Sequence, residues 1–99
     1  MSRYKAKLTI FSHDRGGRPA MPLGSGYSPH ACTPGGQENL PIILHDVPSS
    51  AAFNTEFEAV VELRYPTRLD YSALMSGQGF DLVEGVRRVG RVRLGEALS

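Results

Sequence analysis

The stretch "RYKAKLTIF" at residues 3–11 alternates apolar and basic or polar side chains, position by position. Its apolar set is Tyr4, Ala6, Leu8 and Ile10, and the intervening set is Arg3, Lys5, Lys7 and Thr9. Successive side chains of a β-strand point to opposite faces of the sheet. The alternation therefore predicts a half-buried strand whose outer face is basic.

A second stretch, "TEFEAVVEL" at residues 55–63, repeats this alternation with acidic residues on the outer face. Its inward set is Phe57, Ala59, Val61 and Leu63, and its outward set is Glu56, Glu58 and Glu62. Four further strands are predicted at "GYSPHAC" (26–32), "LPIILHD" (40–46), "GFDLVEG" (79–85) and "RVGRVRLGEAL" (88–98). In the last of these Val89 is out of step with Val92 and Leu94, which predicts a β-bulge at Gly90.

Few other elements are expected between these strands. Pro29 has no backbone N–H for a ladder hydrogen bond, so its strand is expected at a sheet edge or at a bulge. The stretch "VPSSAAFN" at 47–54 is rich in turn residues, and "PTRLDYSALMSGQG" at 66–79 is expected to hold at most a helical turn. Six short strands without a long helix predict one all-β domain over residues 1–99, either a closed antiparallel barrel or a sandwich.

Composition narrows the class of protein further. The chain has 99 residues, of which 40% are hydrophobic and 21% charged, the balance of an ordinary globular domain. Cys32 is the only cysteine, so an intrachain disulfide is impossible, which is consistent with a reducing compartment. We find neither a signal-peptide pattern nor an apolar run of the roughly 20 residues that a membrane-spanning helix needs. A cytoplasmic protein without a membrane partner is expected.

Catalytic and metal-binding patterns are incomplete. His13, His30, Cys32 and His45 are the candidate metal ligands, and His30 and Cys32 share one face of a predicted strand. Zinc sites usually need three or four ligands, often at spacings such as C-x2-C, which this chain lacks. A Cys32 nucleophile would need His30 within hydrogen-bond reach and a third group to orient it. We therefore expect no catalytic residue, metal, cofactor or small-molecule substrate, with a Cys32/His30 enzyme kept as an alternative.

A cluster of arginines near the C-terminus is the strongest functional signal in the residues themselves. It consists of Arg87, Arg88, Arg91 and Arg93, and Lys5, Lys7, Arg15 and Arg18 add basic side chains elsewhere. Each phosphate neutralised on a single strand adds about 0.7 to the salt slope of binding. The net charge is only +1, so an RNA-binding role depends on a local patch. In the alternative interpretation Lys5 and Lys7 pair across strands with Glu56 and Glu58 and bind nothing.

Two longer segments carry a family resemblance. "GGRPAMPLGSGYSPH" at 16–30 resembles the "GGR…P…GY.P" loop of the C-terminal β-barrel, the third domain, of elongation factor Tu, and "GFDLVEGVRRVGRV" at 79–92 resembles a later segment of that domain. The spacing between them also fits, with "VVELRYP" at 60–66 where the family has an apolar strand before a proline. The resemblance implies a six-stranded antiparallel Greek-key barrel without catalytic residues and without the factor's GTP-binding domain.

The same resemblance implies where RNA would be contacted. In elongation factor Tu this domain grips the T-stem backbone of aminoacyl-tRNA and docks against the GTP-binding domain. Arg18 matches the loop arginine that meets phosphate, Glu84 with Gly85 matches the turn against the T-stem, and His30 replaces a glutamine. The family's lysine before proline is Tyr65 here, which removes one phosphate contact. The candidate RNA-binding set is Arg18, His30, Glu84, Gly85, Arg87, Arg88, Arg91 and Arg93.

The long loop before the second strand has an expected structural role as well. We expect Gly16 and Gly17 to turn the chain with positive φ, which other residues rarely adopt. Gly26, Tyr27 and Pro29 are expected to begin the next strand.

Two functions remain open at this point. One is binding of tRNA or another structured RNA. The other is binding of a protein, such as a translation GTPase or a second copy, including an immunity-type interaction with no RNA role.

Overall fold

The alternating segment at the N-terminus forms strand β1, Arg3–Ile10. The structure is a computed structural model, and it describes residues 3–17, 27–32, 39–76 and 79–98. Each of the other five predicted strands is present within one to three residues of the predicted bounds, apart from β2, which is shorter. They are β2 (His30–Cys32), β3 (Asn39–His45), β4 (Phe57–Leu63), β5 (Phe80–Glu84) and β6 (Arg87–Ala97).

The six strands close into one antiparallel barrel in the order β1-β4-β3-β2-β5-β6, with β6 returning to β1. Strands β2, β3 and β4 follow one another as antiparallel neighbours, and β1 pairs with the far side of β4. Three consecutive strands with a fourth beside the outermost one constitute a Greek key. The fold is therefore all-β, with the closed six-stranded Greek-key barrel that was predicted, and the sandwich alternative is wrong.

The predicted inward faces form the barrel core. The buried cluster draws on every strand and includes Leu8, Ile10, Ala31, Leu40, Ile42, Leu44, Val61, Phe80, Leu82 and Val92. Burying a large apolar side chain contributes about 1.5–3 kcal/mol relative to leaving it in water. Tyr71 and Leu74 join this cluster from the β4–β5 connection, where the expected helical turn is a short 3₁₀ helix over Ser72–Ser76.

Strand β6 contains the predicted bulge. Leu82 of β5 pairs with Gly90 and Val83 pairs with Arg88, so Val89 has no partner on β5. The extra residue is therefore Val89 rather than Gly90. Gly90 has a different role, because a Cβ at this position would lie 2.4 Å from the backbone carbonyl oxygen of Thr9 on β1. Glycine lets β6 approach β1 closely at this point.

The prediction for Pro29 is wrong. Its strand, β2, is not at an edge, since it pairs with β3 on one side and with β5 on the other. Pro29 precedes the first strand residue, His30, so no ladder bond is lost, and its carbonyl accepts the N–H of Ile42 at 3.2 Å. Tyr27 lies earlier still and forms an isolated antiparallel bridge with Leu44.

The two glycines after β1 serve different purposes. Gly16 ends a 3₁₀ turn over His13–Arg15 with a φ of +85°, as predicted. Gly17 has no positive φ, and the prediction for it is wrong. A Cβ there would lie 2.0 Å from the carbonyl oxygen of Phe11, so Gly17 permits a close backbone approach instead. Gly26 lies outside the described residues.

Candidate nucleic-acid interface

Pairing of β1 with β6 brings two basic faces side by side. Lys7 lies directly opposite Arg93, and Thr9 lies opposite Arg91. All four side chains point away from the core, as the alternation on each strand predicts. Like charges directly opposite each other across a sheet are destabilising. We call Lys5, Lys7, Arg91 and Arg93 the basic seam.

The two cations at the centre of the basic seam, Lys7 and Arg93, lack ion pairs with carboxylates among the described residues. In the described part of the chain neither Lys7 nor Arg93 forms an ion pair, although Glu58 is the register partner of Lys7 on β4. Lys5 reaches Glu96 at 4.0 Å, with both side chains largely exposed. Lys7 thus lies opposite Glu58, as the alternative interpretation predicts, but among the described residues their side chains form no ion pair, and Lys5 reaches Glu96 instead of Glu56. An exposed pair such as Lys5–Glu96 contributes about 0–1 kcal/mol.

Three shallow grooves follow the basic seam. The first, of about 270 Å³, lies around Lys7 and Arg93; the second, of about 290 Å³, shares both residues and extends to Phe11. The third, of about 320 Å³, continues from Phe11 to Arg15 and Arg88. Among described residues their linings hold six cations and three carboxylates: Lys5, Lys7, Arg15, Arg88, Arg91 and Arg93 against Glu56, Glu58 and Glu96. The groove linings therefore carry a net charge of +3, against +1 for the entire chain.

Phe11 and Asp81 hold the arginines at one end of the basic seam. The guanidinium of Arg88 lies 4.9 Å from the centre of the Phe11 ring, and that of Arg15 lies 5.9 Å from it. The Arg88 Nε also donates to Asp81 Oδ1 at 2.9 Å, and Arg91 approaches the same oxygen at 3.8 Å. Cation–π contacts at exposed sites contribute about 0.5–1 kcal/mol each. Arg88 is thus restrained before any ligand arrives.

The turn that bears Arg15 is fixed to the rest of the barrel. Ser12 donates its N–H to Asn54 Oδ1 at 3.2 Å, and Asn54 Nδ2 donates to Ser12 Oγ at 3.0 Å. The Asn54 N–H in turn donates to the carbonyl of Ile10 at 2.8 Å. A hydrogen bond from the Ser12 hydroxyl is the main reason that the pKa of Asp14 lies below its usual range. Asp14 is therefore ionised beside Arg15 at neutral pH and offsets part of its charge.

The end of the β5–β6 hairpin is engaged with the barrel. Gly85 occupies the first position of a two-residue turn with a φ of +62°, the conformation that favours glycine there. The carboxylate of Glu84 accepts a hydrogen bond from the Tyr27 hydroxyl. Arg87 donates from Nη1 to the carbonyl of Gly17 at 3.3 Å. These contacts join the hairpin end to two points of the connection between β1 and β2.

The candidate RNA-binding residues fall into separate groups. Arg88, Arg91 and Arg93 share the outer face of β6. His30 is exposed on β2 in the same cross-strand row as Arg88, two strands and about 10 Å away. Glu84, Gly85 and Arg87 lie at the hairpin end, and Arg18 lies outside the described residues. The structure therefore brings three members of the set together on β6 and places the others apart from them.

The sequence did not indicate that β1 and β6 are neighbours in the barrel. Both basic faces are visible as alternation in the chain, but alternation within one strand carries no information about which strand lies beside it. Phe11 and Arg15 were also missed as companions of Arg88. The available signal was the aromatic residue directly after β1, followed by a basic residue in the next turn.

No protein-family model matches the chain, and no curated protein matches it. In the described ranges the helices are 3₁₀ segments of three and five residues, and neither could cross a bilayer. Over the same ranges no three His, Cys, Asp or Glu side chains are grouped to hold a metal ion. His30 and Cys32 lie on β2 without a third ligand among the residues described.

Proposed function

We propose that this chain is a non-catalytic module that binds RNA through the sugar-phosphate backbone at the basic seam. The observation that carries the proposal is Lys7 directly opposite Arg93, with Glu58 as the neighbour of Lys7 on β4 and no ion pair to either cation among the described residues. The Lys7–Arg93 pair by itself is unfavourable, and a bound phosphate would supply negative charge to both cations. Arginine suits such a site because its planar guanidinium donates two hydrogen bonds to one phosphate. Base readout is not expected.

The resemblance to the third domain of elongation factor Tu supports RNA of the tRNA type as the partner. A Greek-key barrel of six strands agrees with what that resemblance implies. The Glu84–Gly85 turn agrees as well, since Gly85 adopts the positive φ that such a turn needs. A structured RNA bound there would also lie near Arg87 at the hairpin end. Translation is the process that this proposal points to.

The test is fluorescence anisotropy of labelled tRNA at two salt concentrations, about 50 and 200 mM. Four phosphate contacts give a salt slope of about −2.8 on a single strand and about −3.6 on a duplex, so affinity should fall roughly 50- to 150-fold. Lys7→Ala and Arg93→Ala should each make the slope shallower by about 0.7–0.9. Arg68→Ala is the matched control, because Arg68 is an exposed residue of the turn after β4 and lines none of the three grooves. Absence of binding at the lower salt concentration would refute the proposal.

A protein partner is the second candidate, and exposed apolar side chains favour it. Val86 at the tip of the β5–β6 hairpin is fully exposed. Tyr65 and Leu69, exposed by 41% and 37%, lie in one turn after β4, where the Leu69 N–H donates to the Tyr65 carbonyl at 3.0 Å. A translation GTPase or a second copy of the chain would cover such residues. Light scattering after size exclusion tests the second copy, and Leu69→Asp should abolish a dimer held by this turn.

A further inference from the structure

We infer that the basic seam takes a single strand of RNA, an unpaired stretch rather than a duplex, lying along β1 and β6. This inference rests on the proposed RNA binding, and it departs from the duplex T-stem contact that the resemblance to elongation factor Tu implies. The inference is based on the width of the band of positive charge that the basic seam forms. The four cations of the basic seam occupy two adjacent strands, and neighbouring strands lie only about 4.8 Å apart. A band of that width accommodates one row of phosphates.

Carboxylates bound the band on both sides. On the β4 side Glu58 is the register partner of Lys7, and Glu56 lines the same groove as Arg91. On the β5 side Asp81 is the register partner of Arg91. The β4 flank is the more repulsive, because no ion pair engages Glu56 or Glu58 in the described ranges, whereas Asp81 contacts two arginines. A duplex brings a second row of phosphates, which would lie over one of these flanks.

The spacing along the band also suits one extended strand. Lys5 and Lys7 are two residues apart on β1, as are Arg91 and Arg93 on β6, so cations on each strand recur about every 6.6 Å. This repeat is similar to the separation of successive phosphates in an extended nucleic-acid strand. From Lys5 to Phe11 the grooves run about 20 Å, which at about 6.6 Å per phosphate accommodates roughly four nucleotides. For comparison, OB-fold barrels bind single strands over sites of about 4–16 nucleotides.

The end of the band offers a stacking surface for a base. The groove between Phe11, Arg15 and Arg88 is lined by no carboxylate among the described residues. Unstacked bases pack on aromatic rings and on guanidinium planes, and here a guanidinium already lies 4.9 Å from the centre of a ring. The base of a nucleotide whose phosphate contacts Arg91 would reach this group. A duplex keeps its bases stacked inside and cannot use it.

The experiment compares one labelled oligonucleotide of about 12 nucleotides, without self-complementarity, with the same strand annealed to its complement. At about 50 mM salt the single strand should bind the full chain at least tenfold more tightly than the duplex. Its salt slope should be about −2.8, and shorter strands should lose affinity once they fall below about four nucleotides. Arg88→Lys keeps the charge and removes the planar stacking group, so affinity should fall while the slope is unchanged. Arg68→Ala should match the parent protein.

The outcomes separate this inference from the proposal beneath it. Duplex binding as tight as single-strand binding, with the expected salt slope, overturns the inference and leaves RNA binding at the basic seam intact. Single-strand binding that Arg93→Ala does not weaken overturns the assignment to the basic seam. Failure of both forms to bind at low salt overturns RNA binding altogether.

Discussion

Replacing Arg93 by glutamate should stabilise the fold and weaken RNA binding at the same time. Arg93 lies opposite Lys7, and Arg91 is two residues away on the same face. Glu at this position converts a like-charge cross-strand pair into an opposite-charge pair, which contributes about 0.2–1 kcal/mol. For an exposed pair we take about 0.5 kcal/mol, which raises the Tm of a domain of this size by about 2–4 °C. Salt near 1 M should screen most of the gain.

The same substitution acts on RNA with the opposite sign. It removes one phosphate contact, so the salt slope should become shallower by about 0.7 on a single strand, and repulsion from the added carboxylate should weaken binding further. The assay is thermal unfolding by circular dichroism at low salt, with anisotropy titrations on the same preparations. Arg68→Glu is the control, since it makes the same change in net charge outside the three grooves. A lower Tm for Arg93→Glu, or unchanged RNA affinity, would refute the reasoning.

Three further substitutions test the fold. Gly90→Ala should lower the free energy of unfolding by about 1–3 kcal/mol, because the added Cβ would lie 2.4 Å from a carbonyl oxygen of β1. Gly95→Ala is the control, since the nearest atom to its Cβ lies at 3.5 Å, and it should be neutral or slightly stabilising. Urea unfolding measures both. Gly85→Ala should cost about 1–2 kcal/mol from its positive φ alone, since no atom lies within 4 Å of the added Cβ; an unchanged urea midpoint would contradict this. Hydrogen bonds from the Ser72 hydroxyl and N–H hold the pKa of Asp70 below 3.8. The ionised carboxylate therefore stabilises the fold above pH 3.8, and this stabilisation is lost as the pH falls through the lowered pKa. Asp70→Ala should have a lower Tm than the parent protein at pH 7 and the same Tm in strong acid.

Strand positions and faces could be predicted because each depends on a few neighbouring residues. The alternation around Leu8 and around Val61 places the inward side chains correctly, and both are fully buried. Long-range partners could not be predicted in the same way. Nothing in the stretch around Lys7 indicates that Arg93, 86 positions later, is its neighbour. The basic patch was therefore visible in the sequence only as two separate halves.

Backbone proximity explains the predictions that were wrong. Gly17 lacks a Cβ because the carbonyl of Phe11 lies there, not because φ is positive. Pro29 signals a strand edge in general, but here it stands one residue before a strand that is paired on both sides. Each residue type was interpreted by its most common role. The actual role depends on which backbone segment passes beside it, which a single sequence does not specify.

The bulge at Val89 has a consequence for aligning this chain with other barrels. Arg88 faces outward before it, and Arg91 and Arg93 face outward after it, although 88 and 91 differ by an odd number. A regular strand in the aligned protein would require a one-residue gap at Val89. Without that gap, arginines of the basic seam would be matched to core positions of the other protein, and a shared surface would be missed. Deleting Val89 should likewise preserve the outward arginines, whereas deleting Val92 should place Arg91 and Arg93 on opposite faces.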